Sequence, residues 1–189
     1  MNRKILSHFR KVDPIMHKAA KELGPFEEIA PKEPREYFAA LCSTIIGQQL
    51  SDKAALPIEK RFVSLFRSGK ITAGRILKIS DQDIRNVGMS WSKVGFIKDL
   101  ALRVEEKEVN FSQLPKLNDE GVVEELTKIK GIGPWTAEMF LMFTLGREDV
   151  FSHGDLGLRR AVEKLYNLSD PRKDEVEAIT IKWSPYRSY

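Results

Sequence analysis

The chain has 189 residues, 42% of them hydrophobic and 31% charged, and a formal net charge of +4. This is ordinary for one or two small globular domains with a real core, and the positive charge leans only weakly toward a polyanionic partner. The single cysteine, Cys42, excludes an intramolecular disulfide, a cysteine-rich zinc site and a four-cysteine iron–sulfur cluster. No apolar run approaches the roughly 18 residues of a membrane helix, and the N-terminal stretch is charged and amphipathic rather than signal-like. An intracellular, soluble protein is expected.

Apolar residues recur at helical spacing from Asn2 to Leu23, and Gly24-Pro25 stops that pattern. Arg35 to Leu50 carries Phe38, Leu41, Cys42, Ile45 and Ile46 on one stripe, predicting a buried helix with Cys42 as a core thiol. It breaks at Gly47-Gln48-Gln49-Leu50-Ser51. Ser51 or Asp52 caps a helix running to about Ser68, with Pro57 as a kink. Thr72 to Leu77 is a short helix. Ser80, with Asp83 three residues on, starts another that ends at Gly88. Trp91 to Lys107 is amphipathic, Asn110 to Leu114 a turn, and Asn118 to Lys128 a helix with acids first and lysines last. Leu158 to Leu165 continues the pattern. Asp170-Pro171 reads as an N-cap and first helical proline, and Ser184-Pro185 repeats that start signal. No β-alternation is found, so the fold is expected to be all-α, with about ten helices.

Between Leu126 and Leu158 the chain reads LTKIKGIGPWTAEMFLMFTLGREDVFSHGDLGL. Gly131 and Gly133 permit a sharp turn and close approach of another surface, and Ile132 would pin that turn into the core. Pro134 begins the next helix, where the leading amides favour a phosphate oxygen. A structural helical turn without a ligand fits Gly-Ile-Gly equally well. Further along, Asp155 heads a helix. It reads either as a simple N-cap or as an ionised carboxylate positioned for chemistry, and the two roles are compatible. Trp135, Met139 and Phe143 share one helix face; Phe143 is expected in the core.

These stretches, together with IIGQQLSDKAA at 45–55, GMSWSKVGFIKDLA at 88–101 and KWSPYRSY at 182–189, resemble the helix-hairpin-helix (HhH-GPD) DNA glycosylase superfamily, in its 3-methyladenine DNA glycosylase II branch. The resemblance runs from about residue 35 to Tyr189. It implies a single HhH-GPD domain over 1–189. Two helical subdomains would flank a cleft: approximately 35–115 with the DNA-inserting loop, and 1–34 plus 116–189 with the hairpin and the Gly/Pro-rich catalytic loop. The implied activity is hydrolysis of the N-glycosidic bond of alkylated bases in duplex DNA, the first step of base excision repair.

Within that resemblance, Asp155 is the catalytic residue, stabilising positive charge at C1′ and assisting water. Gly131, Gly133, Trp135, Thr136, Ser51, Lys53 and Lys93 contact the DNA backbone, with a plain surface lysine as the alternative for Lys93. Gln49 inserts into the duplex and Gln48 supports it, unless both are structural amides. Trp135, Met139 and His153 line a base pocket, where an aromatic ring suits a cationic methylated base; a solvent-exposed loop is the other reading of His153. Arg159 and Arg160 touch phosphate or pair with acids. Strand-cleaving relatives carry a lysine where this chain has Trp135, so water is the implied nucleophile. No cofactor and no catalytic metal are expected, beyond a structural Na+ or K+ at the carbonyls of Thr127, Lys130 and Ile132. The expected partner is duplex DNA with a damaged base, not a membrane. The chain is expected to be a monomer, cytoplasmic or nucleoid-associated in a prokaryote and nuclear in a eukaryote. A non-enzymatic DNA-binding protein, a glycosylase for another lesion, a glycosylase/lyase and a helical adaptor are the competing readings. Trp183 or Tyr189 is a candidate to complete the pocket.

Overall fold

The computed structural model describes residues 3–25, 28–66 and 69–189. The described residues contain helices and turns and no strand. In chain order the helices are α1 (Arg3–Val12), α2 (Pro14–Leu23), α3 (Pro34–Gly47), α4 (Asp52–Ser64), α5 (Ala73–Lys78), α6 (Asp81–Asn86), α7 (Trp91–Glu105), α8 (Asp119–Thr127), α9 (Pro134–Phe143), α10 (Leu156–Leu165) and α11 (Lys173–Thr180). Short 3-10 turns cover Leu114–Lys116 and Ile181–Trp183. The expected helix start at Asn2 and helix end at Ser68 lie outside the described residues.

Contacts divide the chain into two compact units. One is continuous, Lys32–Phe140; the other joins the segment up to Pro31 to Leu141–Tyr189. The sequence placed this boundary near 115, which put the hairpin with the C-terminal segment. By contacts the hairpin belongs to the continuous unit, because Ile129 and Ile132 are buried and the turn between them is bonded to α7.

In the continuous unit the α3 stripe is buried as its spacing predicts: Tyr37, Phe38, Leu41, Cys42, Ile45 and Ile46. Burial pushes the Cys42 thiol up in pKa. The backbone N–H of Glu33 donates to the Glu36 carboxylate at 2.9 Å, fixing the start of α3. α7 buries Val94, Ile97, Leu100 and Ala101 and packs against α3, α5 and α6. The Ser80 hydroxyl accepts from the Asp83 amide at the head of α6, as expected.

The second unit departs from the sequence reading in three places. The expected single helix over 2–23 is two helices. Asp13 breaks it by accepting from the amides of Ile15 and Met16, each at 3.0 Å, with Pro14 at the first position of α2. At Asp170-Pro171 the same signal does not start a helix. Asp170 lies at φ +48°, and α11 starts three residues after it, with the Arg172 amide bonded to the Glu175 carboxylate at 2.8 Å. Ser184-Pro185 is a cis peptide after a 3-10 turn rather than a helix start.

Asp13 is the polar centre of this unit. It is 6% exposed and accepts from Tyr166 Oη and, at 3.0 Å, from Trp183 Nε1. Burial opposes its charge, but these donors and the two amides hold its carboxyl below the ordinary carboxylate range. Trp183 is therefore a core residue, packed with Ile5, Phe9 and Phe151, and not a pocket wall. A second anchor is Asp149, which accepts from Arg187 Nε and from Ser184 Oγ, both at 2.7 Å.

Candidate functional site

The Lys130–Pro134 turn joins α8 to α9. Gly131 sits at φ +79°, and a Cβ there would lie 2.2 Å from the Phe96 ring of α7. Backbone sign and close packing each require glycine. Gly133 is different: a Cβ there would meet nothing within 4 Å. Its bare backbone answers no internal packing need and leaves room for an incoming group. The carbonyl of Gly133 accepts from Ala137 at 3.1 Å. The amides before Ala137 stand in the first helical turn, where helix geometry supplies no carbonyl partner. Ile132 is buried, as expected.

α7 holds this turn. Its Asp99 accepts from the Lys130 amide at 2.9 Å and from Arg103 Nε at 2.8 Å. Burial works against Asp99, yet those donors keep its carboxyl below the ordinary range. α7 also holds the loop after α3. Lys93 Nζ donates to the carbonyls of Ile46 at 2.8 Å and Gln48 at 2.7 Å. Its ammonium thus points at protein carbonyls rather than outward to a phosphate, and desolvation lowers its pKa. Gln48 Nε2 in turn donates to Gly131 O at 2.8 Å and Thr136 Oγ1 at 3.3 Å. The Thr136 side chain is accordingly buried, and only its amide stands at the helix head. Gln49 is exposed at φ +58°, a conformation that costs a non-glycine residue energy and recurs at functional sites. Ser51 is the N-cap position of α4 but makes no side-chain cap bond there, and Lys53 is exposed one residue inside the helix.

Asp155 belongs to the other unit. It caps α10: Oδ1 accepts from the amides of Gly157 at 2.7 Å and Leu158 at 3.0 Å. The pair of amides and the helix start both favour the ionised carboxylate.

A family model described as HhH-GPD superfamily base excision DNA repair protein matches residues 42–185. The chain belongs to the HhH-GPD superfamily. A putative DNA-3-methyladenine glycosylase of Bacillus subtilis, YfjP, is 35% identical over 80% of this chain and 55% of its own. The DNA-3-methyladenine glycosylase of Saccharomyces cerevisiae is 41% identical over 81% and 54%. This chain thus spans little more than half the length of these curated relatives. Among solved structures, 3-methyladenine DNA glycosylase Mag1 of Schizosaccharomyces pombe, in complex with abasic DNA, superposes with a TM-score of 0.84. It is 31% identical over 98% of this chain and 91% of that one. An endonuclease III of Sulfolobus acidocaldarius is also similar, 30% identical over 79% of this chain and 66% of its own.

On this HhH-GPD chain the remaining expected residues divide between the units. Trp135 is 41% exposed and Met139 half-buried. Phe143, expected in the core, is 59% exposed, because α9 buries Ala137, Phe140 and Leu141 instead. His153 is half-buried, edge-on to Phe151 with ring centroids 4.9 Å apart. No cluster of three or more metal-ligating side chains occurs among the described residues. Among the described residues no helix is long and apolar enough to cross a membrane.

The sequence reading did not single out Asp99 and Phe96. Both lie in the amphipathic α7, where nothing in the spacing says which neighbour a half-buried acid or ring will meet.

Proposed function

We propose that this chain is a monofunctional DNA glycosylase. It releases alkylated bases of the 3-methyladenine type from duplex DNA and leaves an abasic site. The names of its relatives and its HhH-GPD membership support the reading. The observation that carries it is Asp155, whose carboxylate accepts from two backbone amides at the head of α10.

In this reading the hairpin amides around Gly133 hold a phosphate of the duplex. Gln49 fills the space left by the flipped nucleotide, and Gln48 sets its position from the hairpin. Trp135 and Met139 face the cationic base, where a ring quadrupole is favourable. An alkylated base leaves readily, so the reaction needs stabilisation of the sugar cation more than a strong acid. Asp155 supplies that charge and orients the attacking water. DNA in the nucleoid, or in the nucleus of a eukaryote, is the partner, and the chain works as a monomer. The only ion in the scheme is a monovalent cation at the hairpin carbonyls.

The test is Asp155→Asn, which keeps an acceptor for the cap but removes the charge. Base release should fall by at least about 10²–10³-fold, the scale of one removed electrostatic group, with duplex affinity retained. Excision at the wild-type rate would remove Asp155 from the reaction. The endonuclease III relative favours a second reading, a glycosylase/lyase. Trapping of a covalent adduct by borohydride would establish it, whereas Trp135 in place of an amine leads us to expect no adduct.

A further inference from the structure

The unit that carries Asp155 also holds a cavity of about 310 Å³ with a strongly basic wall. Its floor is the buried pair Pro171 and Val176. His153 and Arg159 come from either side of Asp155 in sequence, and Arg172 and Lys173 from the start of α11. Arg172 is occupied, lying 3.1 Å from Asp174 and 3.6 Å from Glu175. Neither Arg159 nor Lys173 has a carboxylate within 4 Å among the described residues. Asp170 is the one acid on the wall. Two cations engaged in no ion pair therefore line a partly open hollow over an apolar floor, with a single acid beside them.

The place of the cavity suggests its ligand. Arg159 lies four residues after Asp155, one helical turn away on the same side of α10. Side chains so spaced stand about 5–6 Å apart at Cβ, comparable to the reach from a deoxyribose to its own phosphate. We infer that this cavity binds a phosphodiester of the strand whose base is excised, with Arg159 and Lys173 as its ligands. The inference rests on the glycosylase reading above. It adds a second phosphate anchor, independent of the hairpin, beside the carboxylate.

The test is salt-dependent binding of the full chain to a duplex bearing a tetrahydrofuran abasic analogue, measured by anisotropy. Each neutralised phosphate contributes about 0.9 to the slope of log K against log salt. Arg159→Gln and Lys173→Gln should each flatten the slope by about one. Arg159→Lys should keep it. Lys164→Gln, which removes an exposed charge from the last turn of the same helix, should leave it unchanged. Wild-type slopes for both pocket variants, or an equal loss with Lys164→Gln, would overturn the inference. Wild-type excision of a methylated duplex, run in parallel, separates the two claims. Excision with unaltered slopes sinks only the cavity, whereas absence of both binding and excision sinks the glycosylase reading with it.

Discussion

Gln48 Nε2 donates to the carbonyl oxygen of Gly131 at 2.8 Å across 83 residues of sequence. One amide therefore fixes the loop carrying Gln49 to the hairpin carrying Gly133. Lys93 and Asp99, both on α7, brace the two ends of that link. The hairpin and the loop carrying Gln49 are thus bonded into one assembly.

Gln48→Ala should uncouple them. The lost hydrogen bonds are worth about 0.5–1.5 kcal/mol each to stability, so the fold should survive. Misplacement of Gln49 should cost more: about ten- to a hundredfold in excision rate, with duplex affinity little altered. Single-turnover excision and anisotropy on the same duplex check this. A variant that loses affinity and rate equally would argue against a positioning role.

The two hairpin glycines should behave oppositely. Gly131→Ala places a Cβ into the Phe96 ring at a positive φ, costing about 1–2 kcal/mol for the backbone and about 1–3 for overpacking. Gly133→Ala meets open space and should change stability by less than about 1 kcal/mol, yet weaken duplex binding. Urea melts combined with binding isotherms resolve the pair. Equal stability losses would contradict the packing described.

Lys93→Met keeps the volume and removes the two bonds to Ile46 and Gln48. A loss of about 1.5–3 kcal/mol is expected for a charged donor. The salt slope of DNA binding should stay at the wild-type value, because this ammonium is already bonded to two carbonyls of the protein. A flattened slope would restore Lys93 as a phosphate contact.

Asp13 should set the acid limit of its unit. Its folded pKa lies below the unfolded value, so its contribution is complete above the unfolded pKa, near 4, and is lost as pH falls through the folded one. Asp13→Ala also removes the cap of α2, worth about 1 kcal/mol, and orphans Tyr166 Oη and Trp183 Nε1 at about 1–3 kcal/mol each. The variant should melt well below wild type at pH 7, and the gap should narrow below about pH 4. A gap independent of pH would mean the charge is not what matters.

Much of this was legible in the sequence, and the failures share a cause. The α3 stripe, the Ser80 start, the buried Ile132 and the Asp155 cap follow from local spacing and local hydrogen bonding. The Asp-Pro signal is local too, yet it starts a helix at Asp13 and not at Asp170. At Asp13 the carboxylate also gains Tyr166 and Trp183, partners more than 150 residues away. Lys93 reads from sequence as a DNA-backbone contact or a plain surface lysine, because its carbonyl acceptors lie 45 and 47 residues earlier. Phe143 looked like core because periodicity marks an apolar face without saying what covers it. Asp99 was overlooked for the same reason: its role exists only once α7 and the hairpin meet.

The bond from Trp183 to Asp13 spans 170 residues, and this bears on how the protein is made. The Lys32–Phe140 unit is contiguous, so a nascent chain can assemble it while synthesis continues. The other unit cannot close until its last helices have emerged, and α1 and α2 must wait with apolar faces uncovered. Closing so long a loop is slow, so the docking of those two helices against the last ones is expected to come late in assembly.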